Sequence, residues 1–288
     1  MLITLLTPTL NCAPFLANAL DSAEKLARLL PGRVQHLIGD AGSTDGTFER
    51  LQSYAAVNSW AALHQFPKMS IPATLNRLMR EAARDWIVVL NGDDELMPDA
   101  LAQCLLRRRP DRRIVCGDIL LLTREGEVLG KRSCELPGMH RAMAANHAAI
   151  ATARSCFDVV GSFDESCPTS YDYEWLWRSM RSGVPFEHEP QTLATFRLGG
   201  LGSRRRMRSN FEIARAKIDA GYWFEGVRYY TANTLKRGLN NAGLDPGHWL
   251  MALGRKMTRS PVTIIPKQRR YPYRPGPGAL PDAAGARR

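Results

Sequence analysis

The sequence predicts a doubly wound α/β fold: a mostly parallel sheet with helices on both faces, followed by a helical C-terminal region. Three observations carry this expectation. Apolar runs of strand length alternate with segments of helical periodicity over the first 122 residues. The run WIVVL is apolar throughout, the pattern of a parallel strand covered on both faces. Polar and acidic residues collect just after the first, second and fourth strands, where such sheets bind ligands.

The elements follow in order. LITLLT reads as a first strand, without the basic leader and small-residue cleavage site of a signal peptide. PFLANALDSAEKLARLL places Phe15, Leu16, Ala19, Leu20, Ala23, Leu26, Ala27 and Leu30 at helical spacing, and Pro31-Gly32 ends the helix. RVQHLIG is a second strand, and STDGTFERLQSYAA is a helix with an N-cap signal. AALHQF is a third strand. SIPATLNRLMREAARD is a helix capped by Ser70, with Ile71, Leu75, Leu78, Met79 and Ala82 on one face. WIVVL, the helix PDALAQCLLRR with Pro98 in its first turn, and the strand RIVCGDILLL come next. TREGEVLG is a hairpin turn around Gly126. Residues 133–200 are mixed: HAAIATA is a strand, GSFDES a turn, and YDYEWLWRSMRSG a helix ended by Gly183. Residues 205–257 are helical, with FEIARAKIDAGYWFEGVRYYTANTLKRGL as the main stretch. From Pro261 onward Pro and Gly dominate, and a disordered tail is expected.

Composition bounds the function. A chain of 288 residues supports one large or two small domains. No run of 18 apolar residues marks a transmembrane helix. The six cysteines are scattered without a C-x-x-C pair, so reduced thiols in a cytosolic compartment are expected. The net charge of +11 is uneven. Residues 1–203 hold 21 Lys/Arg against 23 Asp/Glu, a net of −2, and residues 204–288 hold 18 against 5, a net of +13. The basic third suits an anionic partner, whether membrane phosphates, a phosphorylated substrate or nucleic acid, or is a solvated tail. The P-loop, G-x-G-x-x-G and G-x-S-x-G signatures are absent, and no H-x-x-x-H pair supports a catalytic zinc.

The stretch LNGDDEL, residues 90–96, follows the fourth strand. Two readings fit it: a polar turn leading into a helix, or a loop that holds Mg²⁺ or Mn²⁺ against substrate phosphates through hard oxygen ligands. DAGSTDGT after the second strand has the same two faces, a plain turn or a site where Asp40 accepts hydrogen bonds from a nucleobase or ribose.

Together TPTLN, DAGSTDGT, LNGDDEL and GSFDES…SYDYEWLWR resemble the family-two inverting glycosyltransferases of the GT-A fold, over residues 2–203 and in the right order. The resemblance implies a nucleotide-sugar transferase domain over 1–203, a basic helical extension over 204–260, and the tail over 261–288. It implies that Thr7, Pro8 and Asn11 line the nucleotide pocket and that Asp40 contacts the base. Asn91 and Asp93 match the ends of the D-x-D element, with Asp93 facing metal and diphosphate, and Asp94 matches a second acid. Asp172 matches the general base. His147 and Trp175 fall on the acceptor side. Gly199, Gly200 and Ser203 match the segment that closes over the donor, and Arg204, Arg205 and Arg206 follow it toward the diphosphate. Asn91 is a neutral residue at the first D-x-D position, which implies weaker metal affinity. Ala73 replaces an Asp that related sequences carry, although Asn76 agrees with them.

The implied reaction is a single displacement. Asp172 takes the proton of an acceptor hydroxyl as it attacks the anomeric carbon. The charge developing on the nucleoside diphosphate is neutralised by Mg²⁺ or Mn²⁺ at Asp93. The expected donor is a nucleoside-diphosphate sugar, with UDP the first choice, and the acceptor a glycan or lipid-linked glycan in cell-surface polysaccharide synthesis. A cytoplasmic location is expected, with peripheral contact at the inner membrane face through the basic region, and no nucleic acid partner. Two alternatives remain. A nucleotidyltransferase shares this sheet order but needs a Gly-rich basic loop where this chain has TPTLNCAPF. A non-catalytic anion- or membrane-binding protein leaves the acidic strand ends unexplained.

Overall fold

A computed structural model describes residues 2–82, 85–136, 145–200, 206–241 and 262–263. Arg204, Arg205 and Ser203, and nearly all of the expected tail, lie outside the described residues.

Four parallel strands form one half of the sheet, in the order β3-β2-β1-β4. They are β1 (Ile3–Thr9), β2 (Val34–Asp40), β3 (Ala61–Gln65) and β4 (Trp86–Val89). All seven residues of β1 are buried, because helices cover both of its faces. Alternate side chains of β2 show where each helix lies. Ile38 packs with Leu16 of α1 (Leu16–Leu29) and with Leu51 and Tyr54 of α2 (Thr47–Val57). On the other face, a Cβ at Gly39 would stand 2.6 Å from Thr74 of α3 (Ile71–Leu78), so only glycine permits that approach. The caps agree with the local sequence. Ser70 accepts the Ala73 N–H at the start of α3, and Asp45 accepts the Thr47 N–H at the start of α2.

The other half of the sheet is antiparallel in most of its pairings, so the sheet as a whole is mixed. β6 (Ile114–Leu122) turns through Gly126, at φ +94°, into β7 (Val128–Arg132), the expected hairpin. β8 (Ile150–Ala153) runs antiparallel between β4 and β6, and β10 (Val262–Thr263) extends β7. β9 (Phe186–Arg197) pairs parallel with β6 and antiparallel with β5 (Glu95–Leu96), the short strand ahead of α4 (Pro98–Leu106). No strand was expected at β9.

α5 (Ser155–Val160) leads through the GSFDES turn to α6 (Tyr171–Arg181), and Gly183 at φ +69° follows its end. The expected long C-terminal helix is two, α7 (Arg206–Asp219) and α8 (Trp223–Asn241), broken at Gly221, which takes φ +87°. α7 packs on α6 through Ile213, Tyr173 and Trp177, and the buried Lys217 ammonium lies 4.8 Å from the Trp177 ring centre. All six cysteines are free. No helix among the described residues is long and apolar enough to cross a membrane.

Candidate active site

The register of the parallel strands brings their carboxyl ends together: Thr9 pairs with Asp40, and Leu6 pairs with Val89 just ahead of the acidic loop. The first two loops are stitched by Asn11. It holds φ +52°, a left-handed conformation that asparagine tolerates, donates its N–H to Ser43 Oγ, and accepts the Thr44 N–H on its side chain. The first and fourth loops meet at Gly92, where a Cβ would stand 2.6 Å from Cys12 Sγ.

Several expected pocket residues prove to hold the scaffold. Thr7 Oγ1 lies 2.8 Å from Nε2 of buried His36, whose other ring nitrogen meets the Tyr54 hydroxyl. Burial pushes His36 down to about 3, and a neutral buried imidazole needs a partner at each nitrogen. Thr7 is therefore turned into the core, not toward the nucleotide pocket, and Pro8 is buried within β1. Asp40 is fully buried. Oδ1 accepts from Thr9 and Ser43 hydroxyls, and Oδ2 from the Gly42 and Ser43 N–H groups. Its four acceptor positions are filled, so contact with a base requires Ser43 to rotate away. Trp175 is 2% exposed, donates to the Gly161 carbonyl and stacks on Phe157 at 4.5 Å. It is a core residue, which corrects its placement on the acceptor side. Asn76 bridges α3 to the carbonyl and N–H of Phe163.

In the acidic loop, Asp94 is buried and both oxygens are taken. Oδ1 accepts the Arg197 N–H at 3.1 Å and Oδ2 accepts from Asn91 Nδ2 at 3.0 Å. Burial, then the neighbouring Asp93, raises its pKa. Arg197, which sequence reasoning missed, is 4% exposed. Its guanidinium donates to the carbonyls of Asp93 and Arg124 and lies 5.2 Å from the Phe15 ring centre. Past Arg197 the chain passes over Asp93, and a Cβ at Gly200 would lie 3.6 Å from Asp93 Oδ2.

Asp172 stands half-buried in the first turn of α6, and Oδ1 accepts the Tyr173 N–H at 2.8 Å. Burial pushes it up to about 6, with Glu212 adding to the rise. At neutral pH it is mostly ionised and more basic than a surface aspartate, as a general base requires. Tyr171 joins the two acidic groups. Burial raises its phenol well above the ordinary value, and Asp172, Asp94 and Asp93 all add to the rise. Its hydroxyl lies 3.4 Å from His147 Nδ1, and burial pushes that imidazole down to about 4. His147 thus sits behind Tyr171, edge-on to Phe163.

The residues present could hold a divalent cation only in part. Among the described residues no side chain donates to the Asp93 carboxylate, and burial raises its pKa, so its charge is only partly offset by Arg197. With Asn91 Nδ2 turned to Asp94, its carbonyl oxygen remains for a hard cation. No group of three or more acidic, His or Cys ligands occurs among the described residues. The rest of the shell of such a cation would have to come from outside the protein.

The parallel strand ends, the acidic loop after β4 and the aspartate opening α6 are carried on the fold of the GT-A glycosyltransferases. The sequence model of Glycosyl transferase family 2 matches residues 4–207, and the chain belongs to this family. Among curated proteins it is 27% identical over 194 residues to a chondroitin synthase of Escherichia coli, covering 65% of this chain and 27% of that one. It is 25% identical over 196 residues to a hyaluronan synthase of Pasteurella multocida, covering 65% and 19%. The chain thus spans about a quarter or less of the length of these relatives. Among solved structures, a mannosyltransferase from Pyrobaculum calidifontis in complex with GDP-Man and Mn²⁺ superposes with a TM-score of 0.60 at 17% identity, over 88% of this chain and 79% of that one. Residues 1–349 of TarS from S. aureus in complex with UDP-GlcNAc superpose at 0.56 and 12% identity, over 83% and 73%.

Proposed function

We propose that this chain is an inverting, metal-dependent transferase that moves a sugar from a nucleoside-diphosphate donor, UDP in the first instance, to a hydroxyl of a glycan or lipid-linked glycan. The observation that carries the reading is the pairing of a half-buried Asp172 at the start of α6 with the acidic loop after β4, Asp93 and Asp94, all three near enough for their charges to act on the Tyr171 phenol. One pair of elements then serves the leaving group and the attacking group together.

When bound, Mg²⁺ or Mn²⁺ neutralises charge on the leaving diphosphate. Asp93 and the Asn91 side-chain carbonyl would hold it, and Asp94 with Arg197 fixes the loop that presents them. Asp172, poised near 6, accepts the proton of the acceptor hydroxyl as that oxygen attacks the anomeric carbon from the face opposite the diphosphate. A single displacement needs no enzyme nucleophile and inverts the anomeric configuration. The relatives named as chondroitin and hyaluronan synthases support a role in polysaccharide synthesis. Work at the cytoplasmic membrane face, with the basic C-terminal region against anionic lipid, is part of the proposal.

The test is a thermal-shift screen of UDP, GDP and dTDP with and without Mn²⁺, followed by nucleotide release from the matching sugar donors. A Mn²⁺-dependent shift with one nucleotide, lost in Asp93→Ala, is expected. No shift with any of them, or a retained α linkage from an α-linked donor, overturns the reading.

A further inference from the structure

We propose that Glu212, on the C-terminal helix α7, is a positioning residue that holds the amino end of α6 and thereby sets the orientation of Asp172. The proposal rests on the reading of Asp172 as the base.

A helix start leaves N–H groups without intrahelical partners, and α6 has no side-chain cap from its own Ser170. Glu212 instead holds, from another element, the two residues that lead into the helix. Its Oε2 accepts the N–H of Thr169 at 2.9 Å, the N–H of Ser170 at 2.9 Å and the hydroxyl of Thr169 at 2.7 Å. Its Oε1 accepts from Arg208 Nε at 2.8 Å. Glu212 is 3% exposed, and a buried carboxylate is tolerated only when saturated in this way. Two residues beyond this anchor stands Asp172.

Contacts from the same face of α7 make the anchor a strap. Ser209 Oγ lies 2.6 Å from Ser170 Oγ, and Arg215 Nη2 donates to Asp164 at 3.0 Å and to Ser166 at 2.6 Å. Residues 209, 212 and 215, three apart on one helix, thus reach residues 164–170 from end to end. The family match ends at residue 207, before all three. The catalytic helix of the family domain is therefore fastened by residues of the extension.

The anchor also has an electrostatic signature, since the Glu212 charge adds to the burial that lifts Asp172. Facing the same region are Tyr171 on α6, Asp93 and Asp94 of the β4 loop, and the Glu174–Arg178 pair one turn on. From α7 come Glu212 and the Arg208 guanidinium paired with it at 2.8 Å.

The experiment compares Glu212→Gln, Glu212→Ala and Asp172→Asn in the full chain. It reads the Mn²⁺-dependent UDP thermal shift, UDP release from UDP-GlcNAc, and melting temperature at pH 5 and 8. Glu212→Gln keeps an acceptor and loses the charge, so near-normal turnover is expected with the acid limb of the pH profile moved to lower pH. Glu212→Ala is expected to lose about 10- to 100-fold in kcat with the UDP shift retained, the scale of a misplaced catalytic group. Should Glu212→Ala fail to fold, or UDP-GlcNAc not turn over, a stability cycle decides. At pH 8 the cost of Glu212→Gln should be smaller beside ionised Asp172 than beside Asp172→Asn, and the difference should vanish at pH 5. Unchanged kcat and acid limb in the Glu212 variants, or strict additivity in the cycle, overturns the anchor. Full turnover by Asp172→Asn instead overturns the base assignment.

Discussion

Asp94 accepts the backbone N–H of Arg197 at 3.1 Å, and this bond ties the acidic loop to the last residue of β9. The Arg197 side chain completes the tie by donating to carbonyls of Asp93 and Arg124. Arg197→Met removes the cation but leaves two buried or half-buried carboxylates in place. The bonds lost run to the buried carbonyls of Asp93 and Arg124, and removing a charged donor from such acceptors costs about 1–3 kcal/mol. Urea denaturation should show a loss of this order, and the Mn²⁺-dependent UDP shift should disappear with it. A variant as stable as the parent would mean that the loop is held elsewhere.

Asp172→Asn should be inactive yet more stable. Asparagine cannot take the acceptor's proton, and losing a general base costs about 10²–10⁴ in turnover. The stability change has a defined sign. Because its pKa rises from 3.8 to about 6 on folding, the native state holds a proton that the unfolded chain has already lost. The stability this gives is whole below pH 3.8 and is lost as pH rises through about 6. Ionised Asp172 is then a burden of roughly 1–3 kcal/mol, discounted for its partial exposure. The variant should melt higher than the parent at pH 8 and almost with it at pH 4. The parent's own turnover should fall tenfold per unit below about pH 6.

Asn91→Asp restores a charged ligand but places it against Asp94, to which Asn91 now donates at 3.0 Å. Like charges at that distance oppose each other. Without metal the variant should melt lower than the parent, and Mn²⁺ should recover more stability than it gives the parent. Equal melting temperatures without metal would show that Asn91 and Asp94 are not in contact in solution.

How far the sequence spoke depended on what each residue touches. The alternating elements up to the β6–β7 hairpin are legible, because apolar spacing and turn glycines are local signals. β9 is not. Its EHEPQTLATFR run breaks the alternation with Pro190 and with Glu189, whose burial depends on Arg107 and Arg108 of a distant segment. Asp93 and Asp172 stand out in sequence by their place after an apolar strand and at a helix start, and the charges of both act on the Tyr171 phenol. The partners that tune them, Arg197 and Glu212, lie far off in sequence and carry no motif. Trp175 shows a different limit: an indole stacked on Phe157 in the core and one facing a sugar have the same letter and the same neighbours in sequence.

Gly92→Ala is the most direct test of the meeting between the first and fourth loops. The added methyl would stand 2.6 Å from Cys12 Sγ and 3.2 Å from its Cβ, closer than atoms of these types pack. Cys12 cannot swing aside freely, since its N–H is bound to Thr47 Oγ1 and its thiol is partly buried beside the loops. Overpacking of this kind costs about 1–3 kcal/mol. It also pushes the loop carrying Asp93 away from the loop stitched by Asn11, so UDP should bind more weakly as well. Cys12→Ala removes the sulfur while keeping the Cβ contact, so the double variant should recover part of both losses. Recovery of stability without recovery of UDP binding would mean that the acidic loop adjusts on its own and that Cys12 merely fills space.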